Sequence, residues 1–453
     1  MRAKPAAIFL VLLPFAFAVL PRLAGAQAGA RPEQPPRLLT LREQQSVREG
    51  WLRKRLDTML LPMMRRHKIE MWVVVNEEFH PDPVVHHVAP PIPYQGRRDF
   101  FIFADRGADR LERIALVRYT EERLKDFFEV LSPPGRETAA TLRRIVDERR
   151  PRSIALNTGG ARGATGGLTH DAYNFLAETL GPEHASKFVP AAPLIVEYTD
   201  TRLPEELEHY RAAVAVTDLL TRRALSNEVV RPGKTTVGDV RWWLLHEVNR
   251  LGLDVWFQPD LRVQRRDARP GMAQQFLAVA PESLVIERGD LLHVDFGLNY
   301  MGLSTDWQKH AYVLREGERD APEGLRRALA NTNRLQDSVF EHARPGRTGA
   351  EVYDAVMADM KRAGIEAMIY SHSVGAQGHG LGASIDFRRP AAGAPEEPPL
   401  REGSYTAIEL STSTPVPEWG GRKVTVMAED DAYLTAEGFK WFRPRQTKLY
   451  LIK

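Results

Sequence analysis

Two predicted hairpins, each with a carboxylate on both of its strands, constrain the fold of this chain more than any other feature. In the first, Asp295 ends the apolar run LLHVD and Asp306 opens the return run DWQKHAYVL, with NYMG at the turn. A turn centred between Tyr300 and Met301 places Asp295 directly opposite Asp306, where Cβ atoms lie about 4.5–5.5 Å apart. Two carboxylates at that distance repel each other unless a cation lies between them or one of them is protonated.

The second hairpin repeats the pattern. Glu409 ends the run YTAIE and Glu429 lies in VMAEDD, on either side of a loop that contains TPVPEWGG. A symmetric hairpin centred on Trp419 pairs Glu409 with Glu429. Any one of these acids alone would be better explained as an edge or turn residue facing water, but their recurrence on two hairpins favours a shared internal site.

A glycine-flanked histidine, His379 in GHGLG, lies between the two hairpins in the sequence. Carboxylates and an imidazole form a hard site suited to Mn²⁺, Co²⁺ or Zn²⁺. Four anionic ligands are more than one divalent ion needs, so we expect two bridged ions, with Mn²⁺ preferred and Zn²⁺ or Co²⁺ as alternatives. The expected ligands are Asp295, Asp306, His379, Glu409 and Glu429. Because the chain has no cysteine, thiolate sites, cysteine nucleophiles and disulfides are excluded.

These motifs resemble the metal-ligand motifs of the pita-bread metallopeptidases. The resemblance rests on HVDFGLNYMGLSTD, GHGLG, AIE and AEDDAYLTAEG, and covers roughly residues 200–440. The eleven-residue step from Asp295 to Asp306 matches the first hairpin of that superfamily. The remaining family ligands match His379, Glu409 and Glu429. The preceding domain, joined through RLPEELEHYRAAVAVTD, is similar to the Xaa-Pro aminopeptidase and prolidase branch. Methionine aminopeptidases lack that domain, and creatinases lack the metal set.

The resemblance implies a metal-dependent hydrolase of short peptides of the Xaa-Pro aminopeptidase type. In this interpretation Glu409 is the general base, which takes a proton from the attacking water and passes it to the leaving amine. Two alternatives stay open. The chain is a metal-binding scaffold that has lost turnover, or it hydrolyses a non-peptide amide on the same fold.

The residues that handle protons differ from the family pattern. The family has a histidine about seventeen residues before the first aspartate and another seven residues after the ligand histidine; these positions are Ala278 and Asp386. Its arginine two residues before the last ligand appears here as Met427. His372 is a candidate substrate-binding replacement, with a structural role as the alternative. His293 and His310 are further candidates for the missing histidine, and Trp256 and Phe257 are candidates for the wall of the pocket. Each of the four has a structural role as the alternative.

The order of segments predicts an α+β chain with two domains. Residues 1–26 have the charged start, apolar run and Ala-Gly-Ala ending of a signal peptide, with an uncleaved anchor as the alternative. Residues 27–40 are expected to form a flexible leader. Short strand-like and helix-like runs predict an α/β domain over 41–200, and paired helices with a largely antiparallel sheet are predicted over 201–453. The Gly-rich segment 157–167 lacks a phosphate-loop spacing and is interpreted as a surface loop.

Charge indicates which partners to expect. The formal net charge is +3, and the predicted signal peptide carries three of the positive charges and no acid, so the mature chain is close to neutral. A nucleic-acid partner would leave a basic excess, so none is expected. We expect export to the periplasm or the medium without stable membrane association after cleavage. The resemblance also suggests a homodimer.

Overall fold

The computed structural model describes residues 35–91, 96–160, 162–267, 279–388 and 397–453. The predicted signal peptide, residues 27–34 of the predicted leader, and Ala278 lie outside the described residues. Residues Pro35–Lys453 cluster into a single compact unit. Within it, the strands change from one sheet to another near residue 200, where the domain boundary is predicted.

The N-terminal part builds one six-stranded mixed sheet with helices on both faces. Its elements are α1 (Leu41–Lys54), α2 (Leu60–Arg66), β1 (Met71–Glu77), α3 (Val85–Val88), β2 (Arg98–Asp105), β3 (Leu111–Leu116), α4 (Glu122–Lys125), β4 (Glu129–Leu131), α5 (Thr138–Arg149), β5 (Ile154–Leu156), α6 (His170–Ala185), β6 (Phe188–Pro190) and α7 (Ala192–Asp200). The strand order is β4-β3-β2-β1-β5-β6. Strand β1 runs antiparallel to β2 and parallel to β5.

Both faces of this sheet are covered because β1 is apolar at every position of its run MWVVV. Successive side chains of a strand point to opposite faces. Trp72 therefore packs with the layer formed by α1, α2 and α7, whereas Val73 packs with α5 and α6. Fully burying a side chain of this kind contributes about 1.5–3 kcal/mol. A polar residue at either position would disrupt one of the two layers.

The first helical run is interrupted at a proline. Thr40 and Glu43 form a capping box at the start of α1. The segment Arg55–Met59 widens into a π-helical turn immediately before α2, which contains Pro62. Proline removes the N–H that would bond four residues back and crowds that carbonyl, so the helix must open there.

The C-terminal part packs paired helices on largely antiparallel sheets. Its elements are α8 (Glu206–Ala224), α9 (Val237–Arg250), β7 (Asp254–Val255), β8 (Asp260–Gln264), β9 (Leu291–Asp295), β10 (Leu298–Tyr300), β11 (Leu303–Ser304), β12 (Gln308–Val313), α10 (Glu323–His342), α11 (Gly349–Arg362), β13 (Glu366–Val374), β14 (Ile385–Asp386), β15 (Tyr405–Ala407), β16 (Leu410–Val416), β17 (Arg422–Ala428), β18 (Asp431–Thr435), β19 (Gly438–Trp441) and β20 (Tyr450–Ile452). Helices α8 to α11 form the predicted paired helices, and the α+β class is confirmed.

Three sheets divide these strands in the orders β11-β10-β7, β20-β12-β9-β8 and β17-β16-β13-β15-β18-β19, with β14 beside β13. The last two sheets meet where the Gln308 N–H donates to the Glu429 carbonyl oxygen at 3.1 Å. Among the described residues, none of the helices combines the length and apolar character needed to cross a bilayer.

The two predicted hairpin registers have different outcomes. In the first, Asp295 lies opposite Gln308, so the predicted pairing with Asp306 is wrong by two residues. The turn is centred on Met301 and Gly302, which both have positive φ, as a tight two-residue turn requires. In the second, Leu410 pairs with Ala428 and Ala407 with Asp431, the register that places Glu409 opposite Glu429 as predicted.

Candidate metal centre

Carboxylates from both hairpins converge where the two sheets meet. Asp295 ends β9, Asp306 precedes β12, Glu409 lies between β15 and β16, and Glu429 lies between β17 and β18. Three overlapping groups have potential ligand atoms within 4.8 Å of one another: Asp295, Asp306 and Glu429; His372, Glu409 and Glu429; Asp306, His372 and His379. The structure thus brings all the predicted ligands together, and it adds His372 to them.

His372 is buried on β13 with its ring pointing into the carboxylates. Its Nε2 lies 3.4 Å from Glu429 Oε1, 3.6 Å from Glu409 Oε2 and 3.7 Å from Asp306 Oδ2. Its Nδ1 lies 3.1 Å from the Ser373 carbonyl oxygen. Because a carbonyl only accepts, this contact favours the tautomer with hydrogen on Nδ1. The Nε2 lone pair is then free to bind a cation, as in metal-ligating histidines.

His379 lies at the rim of the same cluster. Its ring is exposed, packs edge-on against His372 at 4.6 Å between centroids, and contacts Trp256 at 5.1 Å. Arg162 donates to the carbonyl oxygens of His379 and Gly380 at 3.1 and 2.7 Å. Arg162, from the Gly-rich segment interpreted as a surface loop, therefore belongs to the rim, because it binds the backbone that carries His379.

The glycines around His379 have a packing explanation. A Cβ on Gly378 would collide with the Trp256 ring, and one on Gly380 would collide with Ser373. The loop also lies against the N-terminal part of the chain, since a Cβ on Gly382 would collide with the Asp200 carboxylate. Glycine is required here so that the backbone can approach these neighbours closely. The glycines do not by themselves indicate a metal ligand.

Several buried polar atoms of the centre have no hydrogen-bond partner among the described residues. They are Asp295 Oδ1, His372 Nε2 and both carboxylate oxygens of Glu429. Buried polar atoms without partners are rare in proteins and need an explanation. All four can donate a lone pair, and all belong to residues whose potential ligand atoms are grouped within 4.8 Å. The residues present therefore fit a divalent cation, whose preferred ligands are carboxylate oxygen and neutral imidazole nitrogen.

The electrostatics of the ionisable groups in the cluster agree with this fit. Burial, together with the neighbouring Asp260 carboxylate, raises the pKa of Asp295 to about 7. Burial and mutual repulsion raise the pKa of Asp306, Glu409 and Glu429 well above their usual range. Burial also lowers the pKa of His372 to about 3, which keeps its imidazole neutral. Bound cations would relieve the repulsion among the carboxylates.

Gln308 links two of the carboxylates, and sequence reasoning missed it. Its Nε2 lies 3.1 Å from Asp295 Oδ2 and 2.7 Å from Glu409 Oε1, so the amide must donate to both. His293 Nε2 lies 2.9 Å from Gln308 Oε1 and fixes the amide orientation. His293 therefore acts through Gln308. The signal in the sequence was Gly302, because a turn centred on Met301–Gly302 puts position 308 opposite Asp295.

The other sequence candidates fall into two groups. Trp256 lines the rim, where its Nε1 donates to the Thr305 carbonyl oxygen at 2.8 Å and its ring packs on Phe257 at 4.4 Å between centroids. His310 is buried between backbone carbonyl oxygens of Leu292 and Met427, at 3.1 and 2.6 Å from its ring nitrogens. His310 is therefore structural.

Asp386 and Met427, two of the positions that differ from the family pattern, each contact an arginine. Asp386 on β14 forms an ion pair with Arg388, whose Nε lies 2.9 Å from Asp386 Oδ1. Met427 on β17 accepts a contact at 3.0 Å from Arg262 Nη1 to its sulfur. Sequence reasoning did not anticipate Arg262.

Comparison with known proteins agrees with this geometry. The sequence profile of metallopeptidase family M24 matches residues 208–436, about half of the chain. The chain belongs to metallopeptidase family M24. An uncharacterised peptidase of Bacillus subtilis (strain 168), YqhT, is 29% identical over 160 residues. That match covers 35% of this chain and 40% of the relative.

Solved structures show a likeness of fold over most of the chain. An X-Pro aminopeptidase from Thermotoga maritima superimposes with a TM-score of 0.64 at 18% identity, covering 86% of this chain and 99% of that one. An Xaa-Pro dipeptidase from Bacillus anthracis gives 0.60 at 19%, with 89% and 99% covered. A prolidase from Pyrococcus furiosus gives 0.55 at 17%, with 85% and 98% covered. The predicted pita-bread fold with an N-terminal α/β domain is confirmed.

Proposed function

We propose that this M24 chain is a metal-dependent exopeptidase of the Xaa-Pro aminopeptidase type. The observation that carries the proposal is the arrangement around His372. A buried neutral imidazole presents an unpartnered Nε2 to three carboxylates within 3.4–3.7 Å, inside a metallopeptidase fold. Such a donor set has no structural use without a cation, because it gathers buried anions whose charges repel one another.

We further propose that the two histidines exchange the roles predicted from the sequence. His372 is then the histidine ligand, together with Asp295, Asp306, Glu409 and Glu429, and His379 faces the substrate. Two observations support the exchange: His372 is buried on a strand whereas His379 is exposed on a loop, and only His372 has potential ligand atoms grouped with both glutamates. The family spacing agrees, since His379 follows His372 by seven residues. The family pattern then no longer requires a histidine at Asp386.

Divalent ions held by these ligands would supply Lewis acidity at the scissile carbonyl and lower the pKa of a nearby water molecule. The chain supplies the proton transfers. Glu409 suits the role of general base because 18% of its side chain is accessible, compared with 1% for Glu429. Gln308 holds Glu409 Oε1, which leaves Oε2 to accept the proton and deliver it to the leaving amine.

The substrate proposed is a short peptide with proline in second position. The solved relatives named as X-Pro aminopeptidase and Xaa-Pro dipeptidase support this choice. The half-buried Trp256 ring beside His379 also places an apolar group at the rim, suited to contact a prolyl ring. No nucleic-acid partner is proposed.

The test is a cleavage screen with the mature chain, stripped of metal and reloaded with Mn²⁺, Zn²⁺ or Co²⁺. We expect Xaa-Pro peptides to be cleaved at the Xaa-Pro bond, and matched Xaa-Ala peptides to be cleaved more slowly. Asp306→Ala is the control, because loss of a ligand must lower both metal content and cleavage. A chain that cleaves Xaa-Pro and Xaa-Ala peptides equally would contradict the proline specificity but not the metallopeptidase assignment.

A second candidate function is a metal-binding M24 protein with weak turnover. The departure from the family pattern at Met427 favours it. It predicts full metal loading with no cleavage of peptides or of a small-amide library. Selective cleavage of non-peptide amides would instead identify an amide hydrolase on the same fold.

Export and self-association belong to the same proposal. Residues 1–26 would direct the chain out of the cytoplasm and be cleaved, leaving the mature enzyme without stable membrane association. A homodimer is proposed from the family resemblance. N-terminal sequencing of the exported chain tests the cleavage site, and light scattering tests the dimer. A retained N-terminus or a monomer would contradict these two points separately.

A further inference from the structure

The starting observation is a methionine beside the metal centre. Position 427 on β17, two residues before Glu429, is methionine where the resembled family has arginine. The Met427 side chain is buried, and its thioether carries no charge and donates no hydrogen bond. This position therefore supplies no positive charge to a centre with four carboxylates.

A different strand brings a guanidinium to the same place. Residues 260, 262 and 264 of β8 point to one face of the strand, since side chains alternate. Gln264 bonds the backbone of Thr425 on β17 twice, with Nε2 donating to the carbonyl oxygen at 2.6 Å and Oε1 accepting from the N–H at 3.0 Å. Two residues along each strand, Arg262 Nη1 reaches Met427 Sδ at 3.0 Å. The methionine thus packs against the arginine from the opposite strand.

We propose that Arg262 supplies from β8 the positive charge that position 427 does not, and that it is a positioning residue for the carboxylates of the metal centre. This inference rests on the proposed metal-dependent function. It assigns to Arg262 a role in metal retention, and it explains how the centre tolerates methionine at position 427.

The contacts show how Arg262 acts. Its Nε and Nη2 bind Asp260 Oδ2 at 2.8 and 2.6 Å. Asp260 lies opposite Asp295 in the β8–β9 register. Without the guanidinium, these two acids would face each other as neighbouring buried anions, which repel. Arg262 neutralises Asp260 and leaves Asp295 available to a metal ion.

Arg262 is itself mostly enclosed, with 13% of its side chain accessible, so solvent screens its charge little. The charge acts on Asp260 directly and, across the β8–β9 pair, on Asp295.

The test is a reciprocal exchange of the two side chains in the mature, metal-loaded chain. Arg262→Met should weaken Mn²⁺ or Zn²⁺ affinity by at least about tenfold in competition with a chelator, the scale for losing a residue that supports metal ligands. Adding Met427→Arg to Arg262→Met should restore at least half of the lost affinity, on a logarithmic scale, because it returns the charge from the other strand.

The matched control is Arg265→Met. Arg265 follows β8 and pairs with Asp290 at 2.6 Å, so its loss removes a comparable ion pair without touching Asp260. It should leave metal affinity unchanged. Arg262→Lys keeps the positive charge but loses the forked donors, and it replaces Arg262→Met as the test variant if Arg262→Met fails to fold. It should lose less metal affinity than Arg262→Met. If Arg262→Met cannot be purified, Arg262→Lys should still bind metal with measurable affinity.

Wild-type affinity in Arg262→Met, or a double variant no better than the single one, would overturn the proposal. If the wild-type chain binds metal but cleaves no peptide, the affinity measurements still test Arg262, so the two failures are distinguishable. If the wild-type chain binds no metal, the proposed function and this inference both fall.

Discussion

The buried floor of the metal centre and its exposed rim are built differently, and their histidines illustrate the contrast. The floor consists of Asp295, Asp306, His372, Glu409 and Glu429. It lies where strands of two sheets meet, and the hydrogen bonds between those strands fix the position of each side chain. His379 belongs to the rim, where a glycine-rich loop is held by Arg162 and Trp256. Fixed, buried positions suit ligands that must keep one geometry, whereas an exposed loop suits a group that meets the substrate. Burial therefore separates these two histidines better than their flanking residues do.

The strongest challenge to this contrast is to remove each histidine separately. His372→Ala should abolish cleavage and lower the bound metal, because it deletes an inner ligand from a crowded set of anions. His379→Ala should keep the full metal load and lose about 10²–10³-fold in kcat/KM, the scale for one group that stabilises the transition state. Elemental analysis beside peptide kinetics measures both. The opposite pattern of metal loss would return the ligand role to His379.

Glu409 also lies in the floor, but its expected role in proton transfer exceeds its role in metal binding. Glu409→Gln keeps an oxygen for the metal but removes the base, so cleavage should fall by about 10²–10⁴-fold while metal content stays close to wild type. Single-turnover kinetics together with elemental analysis would show this. A variant that cleaves at the parental rate would mean that another group takes the proton.

Gln308 tests how much the floor depends on supporting contacts. Gln308→Leu removes the amide that donates to both Asp295 and Glu409, and we expect metal affinity to fall by about 10–100-fold. Gln308→Glu should be at least as damaging because it adds another anion to the cluster. The measurement is competition with a chelator. An affinity equal to that of wild type in Gln308→Leu would show that the strands alone hold these carboxylates.

The smallest expected effect is on stability, and it concerns the metal-free floor. Burial raises the folded-state pKa of Asp295 to about 7, above an unfolded value of about 3.9. The folded chain therefore binds protons more readily than the unfolded chain between these values, and its stability falls as pH rises through that window. The melting temperature of the metal-free protein should rise on acidification from about pH 8 to about 5.5. The metal-loaded protein should not gain stability, because protons displace the metal. A metal-free protein that loses stability over the same range would contradict the pKa assignment.

Strand-borne features of the fold and the centre were largely predictable from the sequence. The carboxylates were identified because acids at the ends of apolar runs conflict with burial, and the Glu409–Glu429 register followed from symmetry about Trp419. The first hairpin failed the same rule because the positive φ of Met301 and Gly302 moves the turn centre. Because of that shift, the symmetric turn predicts Asp306 opposite Asp295, two residues from the actual partner, Gln308.

Side-chain contacts between distant strands were not predictable. Arg262 lies more than 160 positions before Met427, and their contact depends on how β8 and β17 approach each other across two sheets. His379 illustrates the opposite error. Its glycines attracted attention as a local pattern, but they are required by Trp256 and Ser373, residues that no local window around His379 connects in space. The sequence pattern therefore predicts where strands lie better than it predicts which distant residues contact them.

The hydrogen bonds from Arg162 to the backbone of His379 and Gly380 limit how far this chain can be truncated. A truncated enzyme beginning near residue 201 would keep every proposed metal ligand, so it would look complete by inspection of its motifs. It would lack both Arg162, which holds the backbone of His379, and Asp200, which accepts from Ser373. A minimal catalytic fragment of this chain therefore has to include the N-terminal layer. Shuffling that layer between relatives would change turnover even where the metal ligands are identical.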